Sequence, residues 1–243
     1  MKSYRGPDAK LRLWFKPGEI DDWMEVELHK AGLFPTMLEP WVDIECFVDR
    51  HLKVGLEQYA PLEPTVLGET RFEPGKKPRI SINKSLTELA IDAQGPPAWL
   101  RSKWRMTMAH EATHVMLHRC LYASVPNQGM LFGDDDGPSC EGQDCKYQCL
   151  QRNLETTKGS DWQEVQANKG MAALLMPKSL FLMVCQSERE SLAIGSKPLL
   201  KDSYETDLLS KRLGQQFDVS LQSVLIRLQE MKLFATKGQL DFL

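Results

Sequence analysis

The chain has 243 residues, enough to bury a full hydrophobic core as one domain or as one domain with small appendages. Its 30 basic and 33 acidic residues give a net charge of −3, which argues against a dedicated binder of polyanions. No apolar run is long enough to span a bilayer and the first ten residues lack a signal-peptide core, so we expect a cytoplasmic protein without a membrane partner.

Residues 1–42 form an N-terminal segment with one predicted helix, Glu19–Ala31. Ile20, Trp23, Met24 and Leu28 follow helical spacing in this segment. A helix with one apolar face is more often packed against a core than used to dock a substrate, and we expect packing here.

The next stretch predicts a helix followed by a small antiparallel sheet. Asp43–Tyr59 has apolar residues at helical spacing, and Val66–Asn83 contains two alternating runs around Pro74-Gly75, which is typical of a hairpin. Arg79–Asn83 is a candidate edge strand that could pair with an extended peptide substrate. An ordinary strand without a substrate role is the alternative.

A long helix, Ala98–Leu121, carries the motif on which the functional interpretation depends. Within it, His110, Glu111 and His114 match H-E-x-x-H, the helix-borne zinc motif of metallopeptidases. Side chains four residues apart share a helix face, so both histidines can bind one zinc ion while Glu111 borders it and serves as general base. His118 lies one turn further along, and we expect it to support the site.

The alternative for this motif is a polar helix face with two solvated histidines. The flanking residues are apolar, which predicts a buried helix in which two unpaired imidazoles would be costly. Leu117 and Cys120 occupy the positions where a metzincin has its Gly and third His, so that subclass is excluded. The third ligand must therefore come from elsewhere in the chain.

A second predicted helix, Asp161–Pro177, offers that ligand. Glu164 and Asn168 are four residues apart on one face, and small residues such as Ala167 allow a close approach to the first helix. Glu164 completes a His₂Glu site that leaves one position open for water, as catalytic zinc requires. Asn168 is expected to hydrogen-bond a ligand histidine.

The two motifs together, A-H-E-x-x-H-x-x-L-H over Ala109–His118 and E-x-x-A-N-x-x-x-A-A-L-L-M-P over Glu164–Pro177, resemble those of the ImmA/IrrE metallopeptidases. The resemblance covers roughly residues 43–180. It implies an α+β, zincin-like fold of gluzincin type, zinc as the cofactor, and cleavage of a regulatory protein such as a helix-turn-helix repressor in the cytoplasm. Thr113 stands where the family often has Gly, which we interpret as a packing change.

Between the two helices, Ala123–Asp144 is expected to be a lid or specificity loop. Cys120, Cys140, Cys145 and Cys149 lie in or beside it. Without a secretion signal, reduced thiols are the expected state of the six cysteines. A second, structural zinc on these four cysteines is the alternative.

The chain divides by sequence into residues 1–42, a zinc metallopeptidase domain over residues 43–190, and a C-terminal helical region over residues 191–243. In the last of these, Ser203–Phe234 resembles a helix-turn-helix with Ser220 as the N-cap of its second helix. Acidic and basic residues nearly balance there, which favours helix packing or repressor docking over direct DNA binding.

The sequence thus predicts a zinc endopeptidase. The competing hypothesis is a non-proteolytic zinc-containing regulator that acts by binding a protein or DNA. Glu111 discriminates between them, because binding would survive its replacement by Gln whereas hydrolysis would not.

Overall fold

The computed structural model describes residues 2–5, 11–73, 75–92, 94–122, 145–150, 162–195 and 198–234. Within these ranges the chain is a mixed α+β structure that combines helices with two small sheets. The strands are β1 (Lys2–Arg5), β2 (Leu11–Trp14), β3 (Gly55–Ala60), β4 (Val66–Phe72), β5 (Arg79–Asn83) and β6 (Cys145–Leu150). The α-helices are α1 (Glu19–Ala31), α2 (Ile44–Cys46), α3 (Lys84–Thr87), α4 (Ala98–His118), α5 (Trp162–Leu175), α6 (Lys178–Ser191), α7 (Tyr204–Phe217) and α8 (Leu221–Glu230).

The N-terminal segment contains a hairpin as well as the predicted helix. Strands β1 and β2 pair antiparallel, with Lys2 opposite Trp14. Helix α1 begins and ends where the sequence predicts, and its Ile20, Met24 and Leu28 are buried. The prediction of a packing helix is confirmed, since α1 lies against α5.

The larger sheet has the strand order β3-β5-β4-β6. The predicted hairpin is confirmed, because β4 and β5 pair antiparallel with Thr70 opposite Ile80. Two expectations are wrong. The sheet is mixed, since β3 runs parallel to β5, and Arg79–Asn83 is an interior strand whose two edges are already paired. An extended peptide therefore has no free edge to join at β5.

The helix predicted over Asp43–Tyr59 is only partly present. Asp43 caps α2 by accepting a hydrogen bond from the Cys46 amide, and a π-helical turn, Phe47–Leu52, follows. Lys53 then adopts a left-handed conformation with φ of 53°, and the chain leaves the helix for β3. Pairing with β5 thus overrides the helical pattern of the last residues in this stretch.

Helix α4 lies against β4, β5 and α5, so it sits between the sheet and the helical layer. Its contact with α5 is close because Gly170 faces Thr113. A Cβ at Gly170 would lie 2.2 Å from Thr113 Cγ2. The Thr113 side chain thus occupies the space that the absence of a side chain at Gly170 leaves open. This agrees with the interpretation of Thr113 as a packing change.

The C-terminal helices form as predicted, and each has a serine cap. Ser203 accepts a hydrogen bond from the Thr206 amide at the start of α7, and Ser220 accepts one from the Ser223 amide at the start of α8. Arg105 on α4 donates to the Asp218 carbonyl between these helices at 3.2 Å. One hydrophobic cluster contains residues of all three regions defined by sequence, from Ile20 to Leu228.

Within the described ranges, no single helix has both the length and the apolar character needed to cross a membrane. The consecutive helices α5 and α6 meet these criteria only as a pair, and they are bent by 59° at the break between them.

Candidate metal centre

Three side chains from two helices bring their metal-binding atoms together at one point. His110 and His114 lie on one face of α4, and Glu164 lies in the first turn of α5. His110 Nε2 is 3.1 Å from His114 Nε2 and 3.2 Å from Glu164 Oε2, and His114 Nε2 is 3.3 Å from Glu164 Oε1. These are the three residues that the sequence predicts as metal ligands.

The spacing of these atoms fits a tetrahedral metal site. Ligand atoms at about 2.0–2.1 Å from a tetrahedral zinc ion lie about 3.3–3.4 Å from one another. The two imidazole nitrogens are 3.1 Å apart, and each lies 3.2 or 3.3 Å from one of the two Glu164 oxygens, which is close to that value. Two imidazole nitrogens and a carboxylate are also a ligand set that zinc accepts, so the residues present suit this metal.

The charges around this point favour a cation. Burial alone would raise the pKa of Glu164, but hydrogen bonds to His110 and His114 outweigh it and hold the pKa well below its usual value. Both imidazoles are fully buried, and a second carboxylate, Glu111, is buried with them. Although burial acts in the opposite direction, the hydrogen bond with Glu164 and the charges of Glu111 and Glu164 raise the pKa of His110, so imidazole protons compensate the carboxylates here. A divalent cation held by the same nitrogens would take over that compensation.

Each ligand histidine is oriented through its other ring nitrogen. His110 Nδ1 lies 2.9 Å from Asn168 Oδ1, and His114 Nδ1 lies 3.0 Å from His118 Nδ1. A proton on Nδ1 of His110 would be donated to the Asn168 oxygen, which leaves the Nε2 lone pair directed at the converging point. The structure therefore places Asn168 and His118 behind the ligands, at the positions that the sequence predicts.

His118 is held inside the protein in its neutral form. It is fully buried, and burial together with the charge of His114 lowers its pKa to about 3. Its Nε2 lies 3.1 Å from Gln166 Oε1. Both ring nitrogens are thus occupied by neighbours, so His118 supports His114 and does not join the three converging atoms.

Glu111 points toward the sheet, where β4 makes room for it. A Cβ at Gly68 would lie 3.0 Å from Glu111 Cγ and Oε1, so only glycine leaves the carboxylate its space. Thr70 Oγ1 donates to Glu111 Oε2 at 2.5 Å. Glu111 Oε1 has no hydrogen-bond partner among the described residues, so it can still accept one.

The environment of Glu111 suits a general base. Burial raises its pKa to about 7, although the charge of His110 and the hydrogen bond from Thr70 act in the opposite direction. A carboxylate with a pKa near neutrality can take up a proton and release it again during one reaction cycle.

Strand β6 closes one side of the site. The Tyr147 ring stacks on the His114 ring with centroids 4.5 Å apart and planes 17° from parallel. Tyr147 also exchanges hydrogen bonds with Tyr122 and Gln163 through its hydroxyl. This stacking helps to fix the plane of His114, one of the candidate ligands.

The predicted cysteine cluster is only partly within the described residues. Cys149 is buried in β6, and its Sγ lies within 4.8 Å of the ligand atoms of His110 and Glu111, while Cys120 is exposed at the end of α4. Burial raises the pKa of Cys149 well above its usual value, so it is a neutral thiol. Cys140, the Cys145 side chain and the predicted loop Ala123–Asp144 lie outside the described residues.

Sequence reasoning missed three contributors to this site, Gly68, Thr70 and Tyr147. Glycine inside a strand often marks a close approach by another group, so Gly68 carried a usable signal. Thr70 and Tyr147 reach the site only because β4 and β6 pair beside α4. No local pattern marks those two residues.

No family model matches this chain, and no curated protein matches it significantly.

Proposed function

We propose that this chain is a zinc-dependent endopeptidase with a zincin-like, gluzincin-type site. The observation that carries the proposal is the convergence of His110 Nε2 and His114 Nε2, 3.1 Å apart, on the Glu164 carboxylate, whose Oε2 lies 3.2 Å from His110 and whose Oε1 lies 3.3 Å from His114. When bound, zinc supplies Lewis-acid polarisation of a carbonyl group and lowers the pKa of water to about 7.

Side chains of the protein bind the metal, orient its ligands and transfer the proton. His110, His114 and Glu164 hold the metal, and Asn168 and His118 keep the two imidazoles in the required orientation. Glu111 Oε1 accepts the proton of the attacking water and later delivers it to the leaving amine. Thr70 holds the other carboxylate oxygen, which leaves Oε1 as the oxygen available to accept a proton.

The substrate class and the location rest on the resemblance to the ImmA/IrrE metallopeptidases. Members of that family cleave a helix-turn-helix repressor in the cytoplasm, and we propose the same for this chain. Cys46, Cys149 and Cys185 carry free thiols, which is compatible with a reducing compartment. Helices α7 and α8 pack on α6 and α4, so they serve as structure or as a docking surface for the substrate.

The first experiment measures bound zinc. Native protein purified with zinc should contain about one ion per chain, and Glu164→Ala should lose it. Glu205→Ala is a matched control, since Glu205 is an exposed carboxylate in the first turn of α7. A native protein without metal would overturn the proposal, and about two ions would point to an additional cysteine site.

The second experiment tests hydrolysis without knowing the substrate. The zinc-loaded protein is incubated with a proteome-derived pool of cytoplasmic proteins, and new N-termini are identified by mass spectrometry. Native protein should generate cleavages that Glu111→Gln does not, while both retain zinc. Identical products from the two proteins would leave the non-proteolytic regulator as the better description.

A further inference from the structure

A chain of hydrogen bonds leads from the candidate metal centre to the N-terminal hairpin. His114 Nδ1 contacts His118 Nδ1 at 3.0 Å, and His118 Nε2 contacts Gln166 Oε1 at 3.1 Å. Gln166 Nε2 then donates to the Leu13 carbonyl of β2 at 2.8 Å. Two of these residues lie on α4, one on α5 and one in the hairpin, so the path crosses three separate elements.

A metal ion on His114 fixes the direction of every hydrogen bond along this path. Nε2 of His114 must present its lone pair to the metal, so its proton is on Nδ1 and is donated to His118 Nδ1. His118 then carries its own proton on Nε2 and donates it to the Gln166 oxygen. The Gln166 amide group is left as the donor to Leu13, which is the arrangement observed.

This contact anchors the hairpin at a buried residue. Among its described side chains, Lys2, Ser3, Tyr4 and Trp14 are exposed, and Leu13 is the one that is buried. Leu13 is also the residue whose carbonyl accepts from Gln166, so side chain and backbone are anchored at the same place.

A cavity lies beside Gln166 at the end of the hairpin. It has a volume of about 460 Å³ and lies where the chain leaves β2, with Trp14, Gln166, Lys169 and Arg227 among its lining residues. Because no side chain fills this space, packing alone does not hold Gln166 between His118 and Leu13. Its two hydrogen bonds therefore set its orientation.

We infer that His118 and Gln166 are positioning residues that hold His114 ready for the metal and couple it to the N-terminal hairpin. The inference rests on the proposed zinc site. Coupling between two sites is reciprocal, so metal binding stabilises the docked hairpin and release of the hairpin weakens metal binding. A partner that binds the hairpin and displaces it from Gln166 would then lower the zinc affinity.

Two substitutions at Gln166 separate the ends of the path. Gln166→Glu keeps an oxygen that accepts from His118 but places an oxygen against the Leu13 carbonyl, so it breaks only the hairpin end. Gln166→Leu breaks both ends and leaves the buried His118 without its acceptor. The same two substitutions at Gln222, an exposed residue of α8, are the matched controls.

The measurements are zinc affinity by chelator competition and hydrogen exchange of peptides that contain Leu11–Trp14. Gln166→Leu should bind zinc about tenfold more weakly, as for other residues that orient metal ligands. Gln166→Glu releases the hairpin but keeps the acceptor for His118, so it should bind zinc more weakly than the native protein and more tightly than Gln166→Leu. Both should show faster exchange in the hairpin, and the slowing that zinc causes in native protein should disappear in both.

The outcomes distinguish this inference from the proposed function. If the native protein binds no zinc, both the proposed function and the inferred coupling are overturned. If it binds zinc but Gln166→Leu keeps native affinity, or if hairpin exchange is unchanged in both variants, the coupling alone is overturned. His118→Asn gives a further check, since its side-chain oxygen can still accept from His114 and should restore part of the affinity that His118→Leu loses.

Discussion

Two helix pairs in this protein differ in the kind of side chain that they bury. The α4–α5 pair buries three histidines and Glu111 and joins its helices through hydrogen bonds. The α7–α8 pair contains no buried histidine or carboxylate among its described residues. It buries Leu209, Leu213, Phe217, Val224 and Leu228, together with Thr206, Ser210, Ser223 and Arg227. An apolar contact stabilises the fold by itself, whereas buried imidazoles and carboxylates are costly unless a ligand compensates them. Under the proposed function, α4–α5 carries the metal site and α7–α8 maintains the structure.

The largest expected effect on stability comes from the apolar pair. Phe217 is fully buried and its ring lies 5.5 Å from that of Phe181 on α6. Phe217→Ala should lower the free energy of unfolding by about 3–5 kcal/mol, because it removes a large buried side chain and leaves a cavity. The change is measured by urea unfolding. Zinc stoichiometry at low temperature should be unaffected, and loss of zinc from a folded variant would contradict the separation of the two regions.

The buried carboxylate of the polar pair should destabilise the metal-free protein. The pKa of Glu111 is about 7 in the folded protein, against a usual value of 4.5. Folding therefore binds a proton between these values, so stability falls as the pH rises from about 4.5 through 7 and stays lower above 7. Glu111→Gln lacks this penalty and should be more stable than native protein by about 3 kcal/mol at pH 8.

Urea unfolding in the presence of a chelator measures this difference at pH 8 and again at about pH 4.5 or below. At the lower pH both folded and unfolded states are protonated at Glu111, so the difference should shrink toward zero. A constant difference at both pH values would show that the carboxylate charge is not its cause.

Two helical glycines, Gly170 and Gly214, allow the steric fit of the α4–α5 pair to be compared with that of the α7–α8 pair. A Cβ at Gly170 would meet Thr113 Cγ2 at 2.2 Å, whereas a Cβ at Gly214 on α7 would meet the Val219 carbonyl oxygen at 3.1 Å. Gly170→Ala should therefore cost about 2 kcal/mol through overpacking and should also weaken zinc binding, because it separates α4 from α5. Gly214→Ala should cost less and leave zinc affinity unchanged.

A double variant verifies the cause of the Gly170 effect. Thr113→Ala removes the Cγ2 atom that the new methyl group would meet, so adding it to Gly170→Ala should restore both stability and zinc affinity. Thermal unfolding and chelator competition on the single and double variants give the coupling between the two positions. Purely additive effects would exclude the proposed contact.

Local spacing could place each candidate ligand on a helix face, whereas the meeting of the two faces depends on the packing of α4 against α5. His110 and His114, like Glu164 and Asn168, are pairs four residues apart, and such pairs share a face in any straight helix. The errors concern long-range pairing. Gly55–Ala60 joins β5 as a parallel strand, and β5 lies inside the sheet, because strand order depends on contacts between residues distant in sequence. Tyr147 reaches His114 for the same reason.

Two buried threonines, Thr70 and Thr206, allow the two regions to be compared at the level of a single hydrogen bond. Thr70 donates to Glu111 Oε2, and Thr206 on α7 donates to the Leu200 carbonyl at 2.8 Å. Replacing either by Val should cost about 1 kcal/mol, the usual net value of a hydrogen bond. Only Thr70→Val should change the chemistry, because the Thr70 hydrogen bond lowers the pKa of Glu111 and its loss must raise that pKa. The infrared spectrum of the Glu111→Gln variant is subtracted from that of the protein with Glu111, both without metal. The pH at which the remaining carboxyl signal changes gives the pKa of Glu111. The titration should move to higher pH in Thr70→Val and stay in place in Thr206→Val, and equal behaviour of the two variants would mean that Thr70 serves the fold and not the base.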